Sequence, residues 1–150
     1  MQKGAVMPDN LYDTDFVCWA EHNAELLRSG AIAEADLVNI AEEIEDLGKS
    51  WHRALDSHLM QLLAHLLKLR YQPDYPGARS WGATVATRRI DIEKLLAKAP
   101  SLRPELADIL PETYRDAVYL AITETGLPAK SFPAACPWTV DQILDRNLQP

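Results

Sequence analysis

DLVNIAEEIEDLGKSWHRALDSHLMQLLAHLLKLRYQ, residues 36–72, carries one apolar stripe from end to end. Leu37, Ile40, Ile44, Leu47, Trp51, Leu55, Leu59, Leu62, Leu66 and Leu69 follow one another in steps of three or four, the period of an amphipathic helix. Asp36 is placed to cap its start, with Asn39 at the third position. Gly48 costs about 1 kcal/mol against Ala inside a helix. The stripe keeps its phase across that glycine, so the reading is one continuous helix over 36–72, with a break at Gly48 as the alternative. Gly48 lies on the apolar side, where the missing side chain would let another helix approach. Between Leu59 and Leu69 apolar residues surround most of the helix, which predicts a central position covered on several sides. At 1.5 Å per residue the helix would span roughly 54 Å. A compact domain of this size is only about 35 Å across. One end is therefore expected to protrude or to be covered by a second subunit.

Outward from this helix, proline divides the chain: Pro8 alone precedes residue 73, and the other nine follow. A first helix is expected from Thr14 to Ser29, capped by Asp13 and stopped by Gly30, with Phe16, Trp19, Ala20, Asn23 and Leu27 on one face. Pro73, Pro76 and Gly77 form a loop. Ser80 then caps a third helix to Ala99. A short helix over 102–109 follows, and Pro111 is placed as the first residue of another, stopped by Gly126. Residues 127–138, LPAKSFPAACPW, read as an extended, proline-fixed C-terminal segment anchored by Phe132 and Trp138. Thr139 and Gln142 make a capping-box pattern for a last helix to Asp145. No strand pattern or repeat interrupts this. The expected fold class is all-α: a bundle of about four main helices, as a single domain over 1–150, with residues 1–11 a flexible lead.

The 150 residues suit one core, and 47% hydrophobic with 25% charged residues is ordinary for a globular chain. The net charge of −7 disfavours nucleic acid as a partner. The charge is unevenly placed: residues 34–46 hold six acids and no base, while residues 68–103 hold eight bases against three acids. Either two helices attract one another, or the basic segment receives an anion. Cys18 and Cys136 suggest free thiols in a reducing cytoplasm. No secretory signal or membrane span is read, the run from Leu59 to Leu67 being too short and broken by Gln61 and His65.

The order YDTDF..W (12–19), LVNIAEEIEDLGKS (37–50), LLAHLLK (62–68), SW...V...R (80–89), PSLR (100–103), ETGLP (124–128) and CPWT..QIL (136–144) resembles the bacterial family called domain of unknown function 29. The resemblance runs from about residue 12 to residue 150. It implies an all-helical fold and brings no activity. The positions it marks are Glu43, His65, Trp81, Arg89 and Glu124. Where the family often has polar residues after the Trp, this chain has Gly82 and Ala83.

On a helical wheel His58 and His65 nearly superpose at the edge of the apolar stripe, with Glu43 on the same flank. Arg88 falls inside the apolar face of the third helix and Arg89 beside it. A buried guanidinium needs a carboxylate or several carbonyls. Glu43 is the first candidate partner and Glu124 the second. The expected cluster is Glu43, His65, Arg89 and Glu124, with His58 and Arg88 nearby. It reads either as a polar layer fixing register or as a site. No metal or cofactor is called: the Glu-x-x-His pairs of di-metal bundles are missing, and His58 and His65 stand about 10 Å apart. The four tryptophans read as core residues. The function read from this is a cytoplasmic protein-interaction or regulatory module that self-associates. The alternative is a bundle-type enzyme or metal-binding protein using the Glu/His/Arg cluster.

Overall fold

The computed structural model describes residues 10–150, and every one of its long elements is helical. Six α-helices follow in order: α1 (Leu11–Thr14), α2 (Phe16–Arg28), α3 (Leu37–Tyr71), α4 (Ala78–Lys98), α5 (Glu105–Thr125) and α6 (Val140–Leu144). No strand occurs among the described residues. Most of the expected flexible lead lies outside the described residues. Leu11, at its end, is buried and already helical. Contacts divide the chain into two compact units, one ending at Lys49 and one spanning Ser50–Pro150. The division falls inside α3, which runs unbroken through Gly48 as the phase of the stripe predicts. Among the described residues no helix packs into that gap: a Cβ built at Gly48 meets nothing within 4 Å.

In the first unit, the helix start expected at Asp13 moves to Asp15. That residue leaves helical geometry at φ −150°, and its carboxylate accepts from the Cys18 N–H at 3.0 Å. The four residues before it form α1 instead. Gly30, at φ 79°, ends α2 in the left-handed conformation that only glycine adopts cheaply. Tyr12, Phe16 and Trp19 pack as an aromatic trio with ring centroids 4.8 to 5.9 Å apart. Buried Asn23 ties α2 to the start of α3, donating to the Trp19 carbonyl at 2.9 Å and accepting from the Asp36 N–H at 2.8 Å. Asp36 caps α3 through the Asn39 N–H at 3.3 Å and accepts from the Trp19 indole at 2.9 Å. Hydrogen bonds from Asn39 and Trp19 hold its carboxyl below the usual range. The apolar face here is only partly covered: Leu37, Ile44 and Leu47 are 50%, 65% and 61% exposed.

The second unit has a dense core. Leu55, Leu59, Leu62, Leu63, Leu66 and Leu67 of α3 are sealed, and they meet Val85, Ile92 and Leu96 of α4 and Leu106, Ala117 and Ala121 of α5. Each fully buried leucine contributes on the order of 2 kcal/mol of transfer free energy. Proline does not divide α5. Pro111 lies inside one continuous helix, not at the start of a second. The lost bond is the one to the Ala107 carbonyl. Ala107 and Pro111 are both exposed, so water can serve it. Residues 127–138 are bent: backbone at Pro128 and Phe132 is extended, but Ala129–Ser131 makes a 3-10 turn between them. Phe132 and Trp138 are buried, and the Tyr114 hydroxyl donates to the Pro133 carbonyl at 2.6 Å. The capping box of Thr139 and Gln142 forms as the pattern predicts.

Asn23→Leu keeps the branched side-chain shape but orphans the Asp36 N–H and removes the second bond to the Trp19 carbonyl. It is expected to cost about 1–3 kcal/mol, read as faster amide exchange in the first turns of α3. Unchanged exchange there would show that Asn23 does not hold the two helices.

Candidate functional site

The most deeply buried cation pair of the second unit is built on a lysine that the sequence reading passed over. Lys68 is placed by α3 in its apolar half and is only 4% exposed. Its ammonium donates to the Glu124 carboxylate, near the end of α5, and lies 4.9 Å from the centre of the Trp81 ring in α4. Tyr75 stacks on Trp81 with centroids 4.9 Å apart and planes within 4°. Three helices thus converge on one charge. An isolated ammonium could not be kept here. The carboxylate neutralises it, the indole face attracts it, and Glu124 stays 38% exposed and hydrated.

His65 sits one turn before Lys68. Its Nδ1 lies 2.7 Å from the Gln61 carbonyl, so that nitrogen carries the proton and Nε2 the lone pair. Burial lowers its pKa first. The Gln61 bond opposes this, and the charges of Lys68 and Arg88 lower it further while Glu124 raises it. The result is a neutral, oriented imidazole one turn from a closed ion pair. A lysine donating to a carboxylate has no lone pair for nucleophilic attack. The arrangement is a satisfied polar layer.

The remaining sequence candidates occupy other networks. Arg88 Nη1 donates to His58 Nδ1 and to Asp91 Oδ2, each at 3.1 Å, while its Nε is buried with no partner among the described residues. His58 with Trp51, Lys94 and Lys98 lines an open groove of about 420 Å³. Arg89, 3% exposed, takes carbonyls and no carboxylate: Nε donates to Ile143 at 2.9 Å, and Nη1 and Nη2 both reach Leu148, at 3.4 and 3.3 Å. Glu43 accepts from the Tyr12 hydroxyl in the first unit. That bond, then burial and the carboxylate's charge, push Tyr12 up to about 12. The anticipated cluster of Glu43, His65, Arg89 and Glu124 is therefore distributed over separate networks. Glu124 pairs with Lys68, and His65 feels both charges while bonding the Gln61 carbonyl; Arg89 holds the C-terminal segment, and neither expected carboxylate pairs with it.

Among the described residues no group of three or more His, Cys, Asp or Glu is placed to hold a metal ion. No described helix is long and apolar enough to cross a membrane. Both cysteines are free. Burial pushes the Cys136 thiol up and keeps it protonated at neutral pH; its Sγ lies 3.3 Å from the Trp138 carbonyl.

Two outcomes test this layer. Glu124→Gln leaves Lys68 charged and unpaired, and should cost about 2 kcal/mol or more, whereas Lys68→Met should stay within about 1 kcal/mol. Urea unfolding measures both; equal costs would mean the pair is not what the charge requires. His65 is disfavoured as a cation in the fold, so its contribution is complete above its ordinary pKa of 6.5 and is lost as pH falls through the lower folded value. His65→Gln should remove that part of the acid slope in a stability–pH profile. A profile identical to the parent's would place His65 outside the titrating interior.

In comparisons with known proteins, no curated protein and no solved structure matches. One family does, over residues 11–149, nearly the whole described chain, and the motifs around His65, Trp81, Arg89 and Glu124 fall inside that span. The chain belongs to the family described as domain of unknown function DUF29.

Proposed function

We propose that this chain is a protein-interaction module whose first unit receives a basic, amphipathic helical partner. One observation carries the reading. The stripe that is sealed from Leu55 to Leu67 is open at its beginning, where Leu37 and Ile44 are 50% and 65% exposed. Apolar side chains on one face of a rigid helix give a helical partner its anchors. The flank supplies the second half of the recognition. Glu42, Glu45 and Asp46 are exposed beside those residues, and residues 10–49 hold ten acids against Arg28 and Lys49 alone. An excess of this sign steers a cationic partner and repels an anionic one.

The same charge argues against face-to-face pairing of two copies through this unit, because each would bring its own acidic flank. Self-association is thus the competing outcome for this surface. The two free thiols accord with a reducing, cytoplasmic setting for the exchange of partners.

A fluorescently labelled Leu/Lys amphipathic peptide of about 18 residues, long enough to hold a helix when bound, is the probe. Anisotropy should show saturable binding that salt weakens. Ile44→Asp should weaken it at least about tenfold, although this substitution makes the surface more negative. Equal or tighter binding to Ile44→Asp would reduce the effect to bulk charge and overturn the proposal. A dimer in light scattering that Ile44→Asp dissociates would replace the basic partner with a second copy.

A further inference from the structure

The buried guanidinium of Arg89 borders a cavity that no described group fills. The cavity measures about 150 Å³ and lies in the second unit, walled by Leu69, Val85, Ile90 and Leu148, with Gly82 and Ala86 lining the α4 side. Arg89 is also in its wall and is 97% shielded from solvent, being 3% exposed. We infer that this cavity is a binding site for a small organic carboxylate with a compact apolar body, its carboxylate held by Arg89.

Three observations argue for that class. A guanidinium has five N–H donors. Arg89 spends the Nε–H on the Ile143 carbonyl and one hydrogen from each Nη on the single Leu148 carbonyl, at 3.3 and 3.4 Å. Two Nη–H groups are left without an acceptor among the described residues. The charge is uncompensated as well. Arg89 takes part in none of the ion pairs among the described residues, and burial lowers its pKa against the raising influence of Asp145. Arg146 also lines the cavity, but its charge is already paired with Glu93, with bonds of 3.0 and 2.5 Å, and its side chain is 62% exposed. Leu148 takes the parallel end-on pair of Nη–H bonds, so the two spare hydrogens diverge, and a buried cation with a spare donor offers a carboxylate one charge-assisted bond.

The walls choose among anions. Apart from Arg89, Arg146 and Gln149 the lining is apolar and would leave most oxygens of a free phosphate unbonded against hydrocarbon. An apolar cavity of about 150 Å³ holds a body the size of a benzene ring. A benzoate-like or branched short-chain acid satisfies both the cation and the volume. The glycine at position 82 keeps the space open, for a Cβ built there would meet nothing within 4 Å. This site is independent of the interaction surface of the first unit.

Benzoate is the probe, with benzamide as its neutral counterpart and inorganic phosphate as the alternative anion. Calorimetry on the full chain should give a benzoate dissociation constant below about 10 mM, with benzamide and phosphate each at least about tenfold weaker. Arg89→Gln should abolish the difference between benzoate and benzamide. Because that variant also loses the grip on Ile143 and Leu148, Gly82→Leu provides the second arm. It projects into the cavity, leaves Arg89 itself unaltered and improves helix propensity. It should abolish benzoate binding while melting at or above the parent's temperature. Benzamide binding as tightly as benzoate, phosphate binding more tightly, or full benzoate binding by a folded Gly82→Leu would each overturn the assignment.

Discussion

The unequal cover of a single helix governs this molecule. Along α3 the apolar repeat is continuous from Leu37 to Leu69, yet its burial is not. From Leu55 to Leu67 the leucines are shielded on all sides by α4, α5 and the C-terminal segment. Such a stretch can only exist as the centre of a core, since apolar residues all round a helix cannot face water. From Leu37 to Ile44 the same pattern meets solvent. Hydrophobic burial of about 25 cal/mol per Å² is therefore collected at one end of the rod and left uncollected at the other. That difference separates a sealed core in the second unit from the open face on which the proposed interaction rests.

The core accepts two interior cations, and they are satisfied in different ways. Lys68 is neutralised by the carboxylate of Glu124 and covered by the Trp81 ring. Arg89 is tethered by the carbonyls of Ile143 and Leu148, which supply dipoles but no opposite charge. The first is a closed pair and needs nothing more. The second fastens the end of the chain to α4 while keeping donors in reserve at an apolar cavity. Groups of one kind thus serve as a register device in one place and as a candidate receptor in another. What distinguishes them is the presence or absence of a nearby carboxylate.

How much of this could be read beforehand depends on the range of the determining contact. The long helix was legible because its period is local, and Gly48 costs less than the packing of the leucines that follow it. Gly30 and Gly126, at φ 79° and 73°, were legible as stops for the same local reason. The start of α2 was not: Asp13 and Asp15 both suit a cap, and the choice rests on the short turn formed by Leu11–Thr14. Pro111 was read as a helix start because proline favours the first turn, but an exposed position let the helix run through it. The polar interior was legible only in part. His65, Arg89 and Glu124 were singled out, whereas their partners were not. Lys68 pairs with a residue 56 positions away, and a lysine on a helix ordinarily reads as solvated. The acceptors of Arg89 are backbone carbonyls, which leave no mark in a sequence.

Amide hydrogen exchange across α3 tests the central claim most directly. Amides from residue 55 to residue 67 should exchange only by global unfolding, while those from 37 to 47 should exchange through local opening at a much lower free energy in the isolated chain. Uniform protection along the whole helix, in a protein shown to be monomeric, would contradict the account, because the apolar face at its start would then be as well covered as the core.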